Sequence, residues 1–136
     1  MGGGLKVLLV DDEPMVGKRL APALTKCGYE VEFYDDPAAA LERVDTVEFD
    51  VVVTDIRMSN IDGIQVLRRV RERSRRTAVV IITGYATMSL AREAMKLGAF
   101  DFIAKPFTPD ELRDIVGRAA KSLSESSAPE EGAYPE

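Results

Sequence analysis

Four short apolar runs of this 136-residue chain end in residues able to do chemistry. Leu5 to Val10 leads into Asp11 and Asp12, Val51 to Thr54 into Asp55, Ala78 to Ile82 into Thr83, and Phe100 to Ala104 into Lys105. If the runs are parallel strands of one sheet, their carboxyl ends share one edge, where open α/β sheets bind ligands. Asp11, Asp12 and Asp55 then converge. Two carboxylates ~4 Å apart repel by about 4 kcal/mol at an effective dielectric of 20, so such a gathering calls for a cation. Oxygen ligands with room for waters suit Mg²⁺. A hard cation beside a free carboxylate, a lysine ammonium and a hydroxyl makes a phosphoryl site. Asp55 is its nucleophile, forming an aspartyl phosphate, while Lys105 neutralises and Thr83 donates a hydrogen bond to the phosphoryl oxygens. Two plainer readings stand beside this one: Asp55 opens a loop, and Asp11 or Asp12 caps a helix N-terminus. Capping needs only one of that pair.

The elements that must place these residues can be read from punctuation and period. Val51-Val52-Val53 is an uninterrupted β-branched run, as expected of a parallel strand covered on both faces. Pro14 after Asp11-Asp12-Glu13 opens a first helix, which runs through Val16, Leu20 and Leu24 and stops at Gly28. A weaker strand, Val31 to Tyr34, precedes a second helix start at Asp36-Pro37, with Ala40, Leu41 and Val44 on its buried side. A third helix carries Val66, Leu67 and Val70; Arg68, Arg69, Arg71, Arg73, Arg75 and Arg76 crowd its outer side and exit. They read as a solvated face, with an acidic partner as the alternative. A fourth helix spans about Thr87 to Leu97 and ends at Gly98. Thr108-Pro109-Asp110-Glu111 fits a capping box ahead of a fifth helix bearing Leu112, Ile115, Val116 and Ala119. Its stripe fades by about Ser124, and residues 125–136 are expected to form a disordered acidic Ser/Pro/Glu tail. Five strands alternating with five helices predict a doubly wound α/β sandwich of three layers in one domain, residues 1–124.

Composition narrows the chemistry. There is no histidine, which removes Ser-His-Asp and Cys-His catalysis, histidine-ligated zinc and a phosphohistidine carrier. The single cysteine, Cys27, has no internal disulfide partner and reads as a small apolar filler. No stretch has the ~20 apolar residues of a membrane span and no signal peptide is seen, so a cytoplasmic location is expected. The net charge is −5, of which four units come from glutamates after Ser124, so nothing global points to nucleic acid.

The motifs VLLVDDE, VVVTDIRM, IDG, VIITGYAT and GAFDFIAKPF, in this order and spacing, resemble a receiver domain of two-component response regulators from about Leu5 to Leu123. The GYATMSLAREAMKLGAFDFIAKPF stretch is most similar to receivers of nitrogen-regulator-type activators. The resemblance implies a flavodoxin-like (βα)5 fold with strand order 2-1-3-4-5. It makes Asp55 the phosphoacceptor, and Asp11, Asp12 and the backbone carbonyl of Arg57 further Mg²⁺ ligands. Thr83 becomes the switch hydroxyl, Lys105 the phosphate-binding lysine, and Phe102 the switch aromatic. A cis Lys105-Pro106 bond is also implied.

Ser59 stands where many members have proline, which bears on the stiffness of the loop near the metal. The implied partner is a sensor histidine kinase or phosphotransfer protein docking near the first helix. The implied output is a changed surface of helix 4, strand 5 and helix 5 that serves a partner or a phosphorylation-dependent homodimer. Arg57 and Tyr85 are expected to flank the path of the water that hydrolyses the acyl phosphate, and to slow it. On this reading the chain is not an enzyme in its own right but assists its own phosphorylation and dephosphorylation. Two other classes compete. A haloacid-dehalogenase-type phosphatase needs a DxDx[TV] run, which Asp11-Asp12-Glu13-Pro14 does not fit. A scaffold that keeps the fold without phosphorylation has no need of the full set of acids, hydroxyl and lysine.

Overall fold

Alternation along the strands divides the interior in two. Val7, Leu9, Val51, Val53, Val80 and Ile82 pack on one side of the sheet with Leu20, Leu24, Leu112 and Val116. Leu8, Val10, Val52, Val79 and Ile81 pack on the other with Val44, Leu67, Val70, Ala91 and Ala94. Both faces of the central strands are thus covered, which is why they read as continuous apolar runs. The computed structural model describes residues 4–58 and 60–127.

The strands are β1 (Lys6–Val10), β2 (Glu30–Tyr34), β3 (Val51–Asp55), β4 (Ala78–Thr83) and β5 (Asp101–Ala104). All pair in parallel in the order β2-β1-β3-β4-β5, as the resemblance implied. Helices α1 (Pro14–Thr25) and α5 (Pro109–Ser127) cover one face. Helices α2 (Pro37–Thr46), α3 (Gly63–Arg73) and α4 (Met88–Lys96) cover the other, completing three layers. A 3-10 turn, Tyr85–Thr87, leads into α4. Register places Val10 beside Thr54, Asp55 beside Ile82, and Thr83 beside Ala104, so the reactive strand ends lie level along one edge.

Two helix starts follow the expected chemistry. Asp36 accepts from the Ala38 N–H, and Thr108 and Glu111 form the capping box, bonding each other's backbone N–H at 2.9 and 3.1 Å. A second box, Asp62 with Gln65, opens α3.

Four expectations are corrected. Cys27 is exposed rather than a core filler, because α1 ends at Thr25 and the chain then turns through Gly28 at φ +95°. The arginines of α3 and its exit are not a merely solvated face. Arg69 and Arg73 reach Asp45 on α2, Arg76 pairs with Asp50, and Arg71 donates to the carbonyls of Thr77 (2.7 Å) and Gly98 (2.9 Å). Helix α4 begins one residue later than expected, after the 3-10 turn. Helix α5 continues to Ser127 instead of fading at Ser124, so the expected tail is helical in its first three residues. The rest of that tail, 128–136, and the Ser59 departure lie outside the described residues.

Candidate functional site

The sheet brings together what the sequence distributes over some hundred residues. Asp11 follows β1 and is fully buried; its Oδ1 accepts the Glu13 N–H at 2.9 Å, while its Oδ2, also buried, has no hydrogen-bond partner. Asp55 closes β3, buried, with Oδ1 3.4 Å from the Arg57 N–H and Oδ2 3.3 Å from Lys105 Nζ. One carboxylate oxygen from each of Asp11, Asp12 and Asp55 lies within 4.8 Å of the others. Asp12 is the most accessible of the three.

Lys105 enters from the end of β5, where its backbone N–H bonds the Thr83 carbonyl at 2.8 Å and the following peptide to Pro106 is cis. Its ammonium sits 3.3 Å from Asp55, 3.6 Å from Asp11 and 3.8 Å from Glu13. Burial lowers the Lys105 pKa, but the charges of Asp55 and Asp11 outweigh it and hold it above its usual value. Burial pushes the Asp11 carboxyl up to about 6, helped by the nearby Asp55 charge and opposed by the Glu13 N–H and Lys105. One ammonium therefore faces three clustered aspartates and Glu13. An orphaned buried carboxylate oxygen among hard oxygen donors fits a divalent cation such as Mg²⁺.

The hydroxyl of Thr83 is fully buried at the end of β4. It lies 3.1 Å from the Gly84 carbonyl and 2.8 Å from the Thr87 hydroxyl. Phe102 is partly buried against the α2-α3-α4 side of the core. Arg57 and Tyr85 are both exposed, Tyr85 at 95%. A cleft of about 550 Å³ opens beside the cluster, lined by Glu13, Val16, Arg19, Tyr85, Lys105 and Phe107.

Three participants escaped the sequence reading. Glu13 had a visible signal, since it adjoins the acid pair; its approach to Lys105 did not. Gly63 stands in the IDG motif with no mark of its role, yet a Cβ there would stand 2.6 Å from the Asp55 carbonyl oxygen. Thr87 gave no sign of its bond to Thr83, which depends on the 3-10 turn between them.

Comparison with known proteins agrees with this fold. A family model described as "Response regulator receiver domain" matches residues 7–117. Regulatory protein AtoC of Escherichia coli is 41% identical over 119 residues, 88% of this chain and 26% of that protein. Transcriptional regulatory protein FixJ of Bradyrhizobium diazoefficiens is 34% identical over 91% of this chain and 60% of its own length. The chain thus spans about a quarter of one relative and three fifths of the other. Among solved structures, a response regulator receiver domain protein from Clostridium thermocellum superposes with a TM-score of 0.83 at 30% identity, covering 88% of this chain and 97% of that one.

Proposed function

The chain belongs to the response regulator receiver domain family, and from that membership we propose that residues 1–124 take a phosphoryl group onto Asp55 from a phosphohistidine donor. The observation that carries the reading is the buried, unpartnered Oδ2 of Asp11 beside Asp55, in an acidic cluster that a single lysine only partly neutralises. Mg²⁺ would be held by Asp11, Asp12, Asp55 and the Arg57 carbonyl, and when bound it supplies charge neutralisation for the phosphoryl oxygens. A carboxylate oxygen of Asp55 attacks phosphorus in line. The phosphorus–nitrogen bond breaks, its electron pair returns to the donor imidazole, and that nitrogen takes a proton from solvent. Lys105 already sits at Asp55 and has only to keep its contact as the new charge of about −2 arrives.

Thr83 then turns to donate to a phosphoryl oxygen and Phe102 follows it inward, which reshapes the surface of α4, β5 and α5. That surface serves an output partner or a second copy of the chain; the donor is a sensor histidine kinase or phosphotransfer protein. The reading places the chain in the cytoplasm, without contact of its own to nucleic acid or membrane. Among the described residues, no helix is long and apolar enough to cross a membrane. Release occurs by water attack at phosphorus, along a path flanked by Arg57 and Tyr85.

Acetyl phosphate with Mg²⁺ tests the proposal by mass spectrometry and self-association. The expected result is one phosphoryl group per chain, none on Asp55→Asn, and faster loss when Arg57 and Tyr85 are both alanine. An inert wild-type chain, or an Asp55→Asn variant that gains the same mass, would overturn it.

A further inference from the structure

Thr83 and Thr87 bracket the turn between β4 and α4, and both are buried. Their hydroxyl oxygens are 2.8 Å apart. Each also lies within reach of the Gly84 carbonyl, Thr83 at 3.1 Å and Thr87 at 3.2 Å, and the Gly84 N–H donates to Thr87 Oγ1 at 3.0 Å. A hydroxyl owns one proton. When Thr87 gives its proton to the Gly84 carbonyl, Thr83 gives its own to Thr87 across the shorter 2.8 Å contact. The proton that a phosphoryl oxygen would need is then committed to Thr87.

We propose that Thr87 is a positioning residue that holds the switch in its resting state by occupying the hydroxyl of Thr83, and so sets how readily this chain responds to a phosphoryl group. The inference rests on the phosphoacceptor reading of Asp55 and adds to it the group against which the phosphoryl oxygens compete. Thr87 immediately precedes Met88, the first residue of α4. When Thr83 leaves, Thr87 loses one of its partners at the entry to that helix. The same exchange that satisfies the phosphoryl group therefore loosens the first turn of α4, so chemistry at Asp55 reaches the helix through one hydroxyl pair.

Titration of the full chain with beryllofluoride and Mg²⁺, followed by the NMR signal of the Thr83 methyl, tests this. Thr87→Val keeps the shape and removes the hydroxyl. It should bind beryllofluoride about fivefold tighter, the value of one net hydrogen bond between neutral groups. Its thermal stability should fall at the same time, because the Gly84 N–H loses its acceptor. A purely structural role would not raise affinity while lowering stability. Thr87→Ser should restore wild-type behaviour in both measurements. In a Thr83→Ala background, read by other methyl signals, the valine substitution should leave affinity unchanged. Thr87→Ala removes the same hydroxyl and decides the question if the valine variant does not fold. A hydroxyl-free variant that titrates like wild type, a gain that persists without the Thr83 hydroxyl, or a serine variant that behaves like valine would each overturn the inference alone. A wild-type chain that takes up no beryllofluoride would overturn the phosphoacceptor reading, and this inference with it.

Discussion

Asp11 carries an electrostatic load that the fold alone does not relieve. Its Oδ2 is buried without a hydrogen-bond partner, with Asp55 beside it and Lys105 too distant for a hydrogen bond at 3.6 Å. Asparagine keeps the acceptor for the Glu13 N–H and removes the charge. Asp11→Asn should therefore stabilise the metal-free chain at neutral pH, by removing a charge buried beside Asp55. It should also lose most of the rise in Tm that Mg²⁺ gives the wild type. Thermal unfolding of both proteins, with Mg²⁺ and with a chelator, separates these effects; an equal Mg²⁺ response in the variant would mean that Asp11 is not a ligand. At this scale the sequence is informative about place: Asp11, Asp55 and Lys105 stand at the strand ends where the apolar runs put them. It was silent on Thr87, because a bond between two hydroxyls depends on turn geometry that neither residue type announces.

Among the elements, the junction of β3 with α3 is the tightest point near the site. Gly63 begins α3, donates its N–H to the Ile56 carbonyl at 2.9 Å, and leaves no room for a Cβ against the Asp55 carbonyl or the Ile56 Cα. Gly63→Ala should destabilise the chain by about 1–3 kcal/mol, the usual cost of overpacking, despite the better helix propensity of alanine. Because the displaced atoms belong to Asp55 and its neighbour, phosphorylation by acetyl phosphate should slow as well. Denaturant unfolding and the phosphorylation rate check the two halves separately. Most elements were legible because period and punctuation agreed: proline at helix starts, glycine at φ +105° after α4, apolar runs in the strands. The roles of the α3 arginines were not, since Asp45, Asp50 and the Gly98 carbonyl lie far away in sequence and meet them only in the folded chain. Phe49 was missed for a related reason. It is buried, yet it stands in the link between α2 and β3, where no periodic pattern marks it.

For the whole molecule, stability against acid should depend partly on the sheet's outer edge. Glu32 on β2 makes a two-bond contact with Arg43 on α2, at 2.9 and 2.7 Å, and that guanidinium holds the Glu32 carboxyl below its usual 4.5. A carboxylate with a depressed pKa adds stability that is present above its unfolded pKa and is lost as pH falls through the folded one. Arg43→Ala should accordingly flatten the fall in stability below about pH 4.5, measured by denaturant unfolding across that range. Wild-type and variant curves that run parallel there would show the pair to be inert.

The sheet is a wall between two separately packed rooms. Helix α1, near which the phosphodonor is proposed to dock, rests on Leu20 and Leu24 in one of them, and α4 rests on Ala91 and Ala94 in the other. A lineage can therefore remodel the packing under α1 without repacking beneath α4, whereas α5, which shares the α1 layer, would have to follow.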